Sequence, residues 1–199
     1  LLAAPLVLSG CFPPMANMQG PEIGNRGRVT AHYSVIENAE NDDADRVDAI
    51  GLLVASPAGD NAEIQVRFDY FRPRDSSADG DDIAFIGIGP KLRAFSRHLA
   101  FVIPAGIYVG SVGPLFEAFF LPGLIAGVPL HPRIEPIGAM RVVLPLDANL
   151  ERYAIANLGL RLSPLSPKWM IIPEMGFAWG SETDVRFESL AIGFAWAPP

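Results

Sequence analysis

Trp169-Met-Ile-Ile-Pro-Glu-Met-Gly-Phe-Ala-Trp179 decides how the rest of the chain is read. At period two, one phase is Trp169, Ile171, Pro173, Met175, Phe177 and Trp179, and the other is Met170, Ile172, Glu174, Gly176 and Ala178. Such alternation is a β-strand with two unlike faces. A half-buried strand in a water-soluble sheet carries Lys, Thr and Glu on its wet side. Here the second face is small apart from one carboxylate, so something narrow lies against it. The two tryptophans are ten positions apart, which at ~3.3 Å per residue and a tilt of roughly 45° projects to about 24 Å. That is the apolar thickness a tilted strand crosses in a bilayer, with aromatic side chains at both interfaces.

Working outward, the chain has 199 residues, half of them hydrophobic and 19% charged. This length supports one sizeable core and a single domain. No run reaches the roughly 18 uninterrupted apolar residues of a membrane helix, so a membrane-spanning part would be built of strands closed into a barrel. The net charge of −7 speaks against a nucleic-acid partner, which needs a clustered basic surface.

From Gly27 onward the chain reads as strand-length runs over about 28–36, 47–56, 63–72, 83–95, 99–110, 115–128, 133–145, 151–163, 168–179 and 186–197. About ten antiparallel strands in up-and-down order result. Connections at 37–46, 73–82, 111–114, 146–150 and 181–185 fall at one end, and those at 56–61, 96–98, 129–132 and 164–167 fall at the other. An even meander places both termini at the end of the shorter turns, which in transmembrane barrels is the periplasmic end.

The polar phase of these strands collects Arg28, Arg67, Asp69, Lys91, Arg93, Glu117, Glu135, Arg141, Arg161 and Glu174. Facing lipid near the midplane, each base would cost of order 2–4 kcal/mol. They are therefore expected to face inward as a lumen charge network of Arg–Glu pairs, a plug more than a channel. Trp169, Trp179 and Trp196 fall in the opposite phase and are read as membrane-interface aromatics.

The amino end, Leu1-Leu-Ala-Ala-Pro-Leu-Val-Leu-Ser-Gly-Cys11, reads as the end of an export signal running into the one cysteine of the chain. Leu8-Ser9-Gly10-Cys11 resembles the bacterial lipobox, and the resemblance implies cleavage before Cys11 and covalent lipid on its thiol. It also implies, from Phe12 in place of an aspartate, sorting to the outer membrane. The expected division is 1–10 signal, 11–26 lipidated tether without periodicity, and 27–199 barrel, with the lipidated end periplasmic. Over 27–197 the chain resembles small bacterial outer-membrane β-barrels. Its closing Leu190-Ala-Ile-Gly-Phe-Ala-Trp196 is similar to their carboxy-terminal assembly signal, which implies outer-membrane lipid and the barrel-assembly machinery as partners. The chain ends Ala197-Pro198-Pro199 where that family ends on an aromatic.

Pro90, Pro104, Pro122, Pro136 and Pro173 lie inside the proposed strands, where a closed sheet tolerates proline only at bulges or ends. They keep open a second architecture, a soluble periplasmic lipocalin-like lipoprotein with its apolar phase turned inward around a ligand. A third reading is an outer-membrane barrel hydrolase. His98 and His131 fall in short turns, and His32 lies in the polar phase of the first strand, but no local pattern announces a catalytic dyad. The chain is accordingly not expected to be an enzyme. One cysteine excludes Cys/His zinc spacing, and no resident cofactor is expected. The acidic loops 37–45 and 75–82 could supply oxygen ligands for calcium; the weak candidates are Asp75, Asp79 and Asp81, with Ile86 at the place of a closing glutamate. The leading function is a structural or interaction role with limited, porin-like passage of small solutes.

Overall fold

The computed structural model describes residues 15–39, 46–74, 82–110, 117–147, 150–164, 166, 168–181 and 186–198. They form one all-antiparallel sheet closed on itself, with no helix among the described residues. Its ladder segments are β1 (Arg28–Asn38), β2 (Arg46–Pro57), β3 (Ala62–Pro73), β4 (Ile83–Arg93), β5 (Leu99–Val102), β6 (Ala105–Gly110), β7 (Glu117–Phe120), β8 (Gly123–Gly127), β9 (Ile134–Pro145), β10 (Tyr153–Leu162), β11 (Trp169–Gly180) and β12 (Arg186–Trp196). β5 with β6, and β7 with β8, are halves of single staves, so the barrel has ten, and β12 closes it on β1 from Val29–Trp196 to Asn38–Phe187. Followed once around, the register returns to β1 displaced by about 12 residues, a stagger consistent with a strand tilt of roughly 40°.

The prolines do not act through bulges. A bulge would shift the register by one, yet Ile88 pairs Ala105 and Lys91 pairs Val102, three residues apart on both strands across Pro90 and Pro104. Likewise Gly159 pairs Glu174 and Leu162 pairs Ile171 across Pro173. Pro104 and Pro122 sit at the two stave interruptions, Pro90 faces the first, and Pro136 lies beyond the last β8–β9 pair, Gly127–Ile137. Each stands where a neighbouring ladder lapses, so the missing N–H removes no paired bond and the register carries through.

Polarity is inverted relative to a water-soluble barrel. The outer face presents Ile50, Leu52 and Val54 of β2, Ile64, Val66 and Phe68 of β3, and Leu190, Ile192 and Phe194 of β12, all exposed. The soluble alternative needed this phase inside, and it is outside. Leu190 at 68% and Ile50 at 61% exposure belong to a belt running around the staves, far more apolar surface than a water-soluble monomer presents. Trp169 and Trp196 pair across β11 and β12 with ring centroids 6.1 Å apart at the end where β1 begins and β12 ends, and Trp179 is exposed toward the other end.

Inside, the lumen is layered. Toward the long-loop end, Ile36, Val47, Phe71, Phe85, Tyr108, Phe119, Val143 and Ile155 pack as an apolar cap. Tyr108 touches Phe85 at 5.1 Å and meets Phe119 edge-on at 5.2 Å between centroids. Below this cap, toward the end where β1 begins and β12 ends, lie the polar side chains. An eight-strand barrel is just filled by its own side chains, so ten staves leave room to spare. That room is occupied by the chain's own residues 15–23. The sequence placed this stretch in a tether, but Met15 through Pro21 and Ile23 are buried inside the barrel. The barrel domain therefore includes the segment that precedes it.

Candidate functional site

The site is the seat of this segment. It begins on β3, where Glu63, Gln65, Arg67 and Asp69 occupy four successive inward positions, and is completed by Lys91 of β4, Arg141 of β9, Asn157 and Arg161 of β10, and Glu174 of β11. Strand alternation aims all of them at the axis.

Most of the bonds to the segment go to its main chain. The Glu174 carboxylate accepts the amides of Asn17 at 2.5 Å and Met18 at 2.9 Å, and also the Asn157 amide at 3.0 Å. Arg141 and Asn157 donate to the Met15 carbonyl at 2.8 and 2.6 Å, and Arg67 donates to the Ala16 carbonyl. Lys91 Nζ donates to the Glu22 carbonyl at 2.7 Å. Side chains take part at two points: Gln19 and Gln65 exchange reciprocal amide bonds, and Arg161 meets the Glu22 carboxylate at 2.7 Å. Burial pushes the Glu22 carboxyl up, but the bond and charge of Arg161, with Arg28 and Lys91 behind it, more than offset this and hold it below the ordinary glutamate range.

The remaining interior charges are paired to one another. Glu63 Oε1 is shared by Lys91 at 3.0 Å and Arg28 at 3.2 Å, Arg161 reaches Glu135 at 2.6 Å, and Asp69 holds Arg67 on one side and His32 Nε2 at 3.0 Å on the other. Among the described side chains, Arg28, Arg67, Lys91, Arg141 and Arg161 thus face Glu22, Glu63, Asp69, Glu135 and Glu174, with Glu22 contributed by the segment. A cavity of about 20 Å³ beside Gln19, Gln65, Arg67 and Arg141 has room for one or two waters and no larger solute.

Of the residues singled out in the sequence, Arg28, Arg67, Asp69, Lys91, Glu135, Arg141, Arg161 and Glu174 come together here. Arg93 does not: at the end of β4 it is exposed and donates to Asn61 Oδ1 at 3.0 Å, because the inward phase there has already reached the barrel mouth. Glu117 lies on β7, and its side chain is outside the described part of the structure, as are Cys11, Asp75, Asp79 and Asp81. The sequence reading did not single out Glu63, Gln65, Asn157 or Glu22. The first three were legible as polar residues in the inward phase, whereas Glu22 had no periodic signal around it.

His32 and Asp69 make the kind of pair that orients a base in hydrolases, yet both are buried and the Nε2 is already engaged by the carboxylate. Gly51 lies against the pair, with a Cβ there falling 2.2 Å from Asp69 Oδ1 and from His32 Cε1. His98 and His131 sit in turns, where Arg97 donates to His98 Nε2 at 3.3 Å and the Arg133 amide to His131 Nδ1 at 3.2 Å. No three His, Cys, Asp or Glu side chains are grouped to hold a metal ion among the described residues.

A closed antiparallel barrel with an apolar exterior, a charged interior and short turns beside the start of β1 and the end of β12 has the fold of the outer-membrane β-barrel class. The chain is similar in fold to an outer membrane channel of Pseudomonas putida F1, at 9% identity over 95% of this chain and 100% of that one, with a TM-score of 0.53. It is also similar to the translocator domain of the autotransporter NalP from Neisseria meningitidis, at 11% identity over 87% of this chain and 89% of that one, with a TM-score of 0.50. No protein-family model and no curated protein sequence matches it.

Proposed function

We propose that the protein is an outer-membrane barrel held shut by its own amino-terminal segment, with a structural or interaction role when shut and small-solute passage when the segment withdraws. The observation that carries this is the grip of Glu174, Arg67, Arg141 and Asn157 on the main chain of residues 15–18 in the middle of the lumen. The exposed apolar belt and the tryptophans near both ends support residence in a bilayer. The short turns at 58–61, 94–98, 128–133 and 163–168, at the end where β1 begins and β12 ends, support a periplasmic placement of that end. The closing strand β12, ending at Trp196, is the element the barrel-assembly machinery would engage. This reading assigns no catalytic step.

Lipid on Cys11, supported by Leu8-Ser9-Gly10-Cys11, is part of the reading and has a geometric consequence. The Met15 carbonyl is bonded by Asn157, whose ladder partner Gly176 stands seven residues from Trp169 at the termini end. That depth is about 18 Å at ~3.3 Å per residue and a tilt of roughly 40°. Four residues, Cys11 to Met15, reach ~14 Å at full extension. A lipid anchored at the termini end and a seated segment are therefore alternative states of one chain.

Planar-bilayer recordings test the proposal. The full chain carrying Cys11→Ala, and so no lipid, should be silent or conduct weakly, and deletion of 12–24 should give stable openings with the folded, heat-modifiable gel mobility retained. A deletion variant that folds and stays silent overturns it. Intact mass measured after membrane extraction reads the lipid on Cys11 directly.

A further inference from the structure

Resting on that reading of the lumen, we infer that the seat is a binding site for a polypeptide main chain turned at Met18 (φ 53°), able to take a peptide supplied in trans at the end where β1 begins and β12 ends. The segment is held mostly by groups every polypeptide carries. Two consecutive amides, of Asn17 and Met18, enter one carboxylate, and the carbonyls of Met15, Ala16 and Glu22 each receive a side-chain donor. The Asn17 side chain bonds inside the segment, its Nδ2 to the Gln19 carbonyl at 2.7 Å, so the wall does not read it through a bond.

Selection among peptides comes from three features of the wall. Met15 enters the aromatic cap, and Met18 lies over Gly193, where an added Cβ would stand 2.7 Å from its sulfur. Gly20 passes Glu135 with a carboxylate oxygen 3.4 Å from a Cβ built on it, which restricts that position to a small residue. The carboxylate of Glu22 answers Arg161 at the mouth. The ligand class is thus a peptide that can turn at its second anchor, with two apolar anchors three residues apart, a small residue two further on, and an acid two beyond that. Backbone bonds supply affinity and the side-chain pockets supply register.

Joined covalently, the native segment competes at an effective concentration in the millimolar range, so the test must cut it free. A specific protease site placed at 24–27, where Asn25 and Arg26 are exposed, allows cleavage in the folded full-length barrel in detergent. Exchange is then followed with a fluorescent peptide of sequence 15–23. The expected result is saturable uptake that the unlabelled peptide reverses. Methylating the backbone nitrogens of Asn17 and Met18 should weaken uptake by at least about a hundredfold, the loss of two bonds to a charged acceptor. An Asn17→Ala peptide should lose less than about tenfold. No uptake by the cleaved, still heat-modifiable barrel overturns the inference, and so does equal uptake of the methylated peptide. Conductance of the cleaved barrel is recorded separately. Uptake without any conducting state would leave the peptide site standing and remove the proposed passage function, and conductance without uptake would do the reverse.

Discussion

Replacing Glu174 with glutamine tests the seat at its centre. The carboxylate accepts Asn17 N, Met18 N and Asn157 Nδ2 and is almost fully buried. Glutamine keeps the shape but turns one acceptor oxygen into a donor that faces an N–H. One backbone bond is lost and the other becomes neutral. Bonds to a charged group contribute about 1.5–3 kcal/mol and neutral ones about 0.5–1.5 kcal/mol, so docking of the segment should weaken by about 2–4 kcal/mol. Arg141 and Arg67, which donate to the Met15 and Ala16 carbonyls, also lose a nearby counter-charge, which places the result toward the upper end. The undocked population rises accordingly by about 30- to 1,000-fold. Hydrogen exchange read by mass spectrometry should show that loss of protection in peptides covering 15–22, while peptides from β10 to β12 keep theirs, because the ladders of the wall do not depend on the segment. Unchanged exchange over 15–22 would refute the reasoning. An equal rise in the wall strands would refute it too, since the segment would then be part of the barrel's cooperative core and not a separable plug.

Gly51→Ala should drive a Cβ into the His32–Asp69 pair and lower the temperature of the heat-modifiable transition through an overpacking cost of about 1–3 kcal/mol. Gly138→Ala, whose nearest neighbour is Leu158 Cδ2 at 4.0 Å, should be neutral in the same gel assay. The depressed Glu22 carboxyl gives a pH dependence: its contribution to docking is complete above the ordinary glutamate range and disappears as pH falls through the lowered value. Exchange over 15–22 should therefore rise on the acid side of that range, and Glu22→Gln should remove this part of the dependence. Trp169, Trp196 and Trp179 should be quenched by lipids carrying the quencher near the headgroup and weakly by those carrying it at the chain end, and the opposite ranking would break the assignment of the outer belt to lipid.

The wall was legible because its strands obey one rule throughout. Trp169 to Trp179 alternates without a slip, and β11 spans Trp169–Gly180 with Met170, Ile172, Glu174, Gly176 and Ala178 inward, as its two phases required. Inward charge was legible for the same reason, since Arg161 and Glu174 stand in the phase that lipid would reject. What periodicity could not report was the consequence of proline. Pro173 removes a donor, but its ladder with β10 simply lapses between Gly159–Glu174 and Leu162–Ile171, so no bulge follows from the residue. Nor could it tell that Arg93 lies one step too far along β4 to turn inward.

The segment at 15–23 was illegible for a deeper reason. A helix or strand advertises itself because its side chains choose faces, but this stretch is held largely through its main chain, and main-chain bonds leave no mark in the residue types that make them. The mark lies instead on the wall. Small residues in the inward phase looked like a close-packed interior, and several of them are recesses. Gly193 leaves space for the Met18 sulfur, Gly127 for Pro21, where a Cβ would fall 2.8 Å from its ring, and Gly176 lies 3.6 Å from the end of Met15 by the same measure. A ten-stave barrel with glycines facing in is too wide to be filled by its own strands. The recesses specify the shape of what must fill it, Arg161 at the mouth offers a partner to an acid there, and Met15 to Glu22 meets the two conditions together.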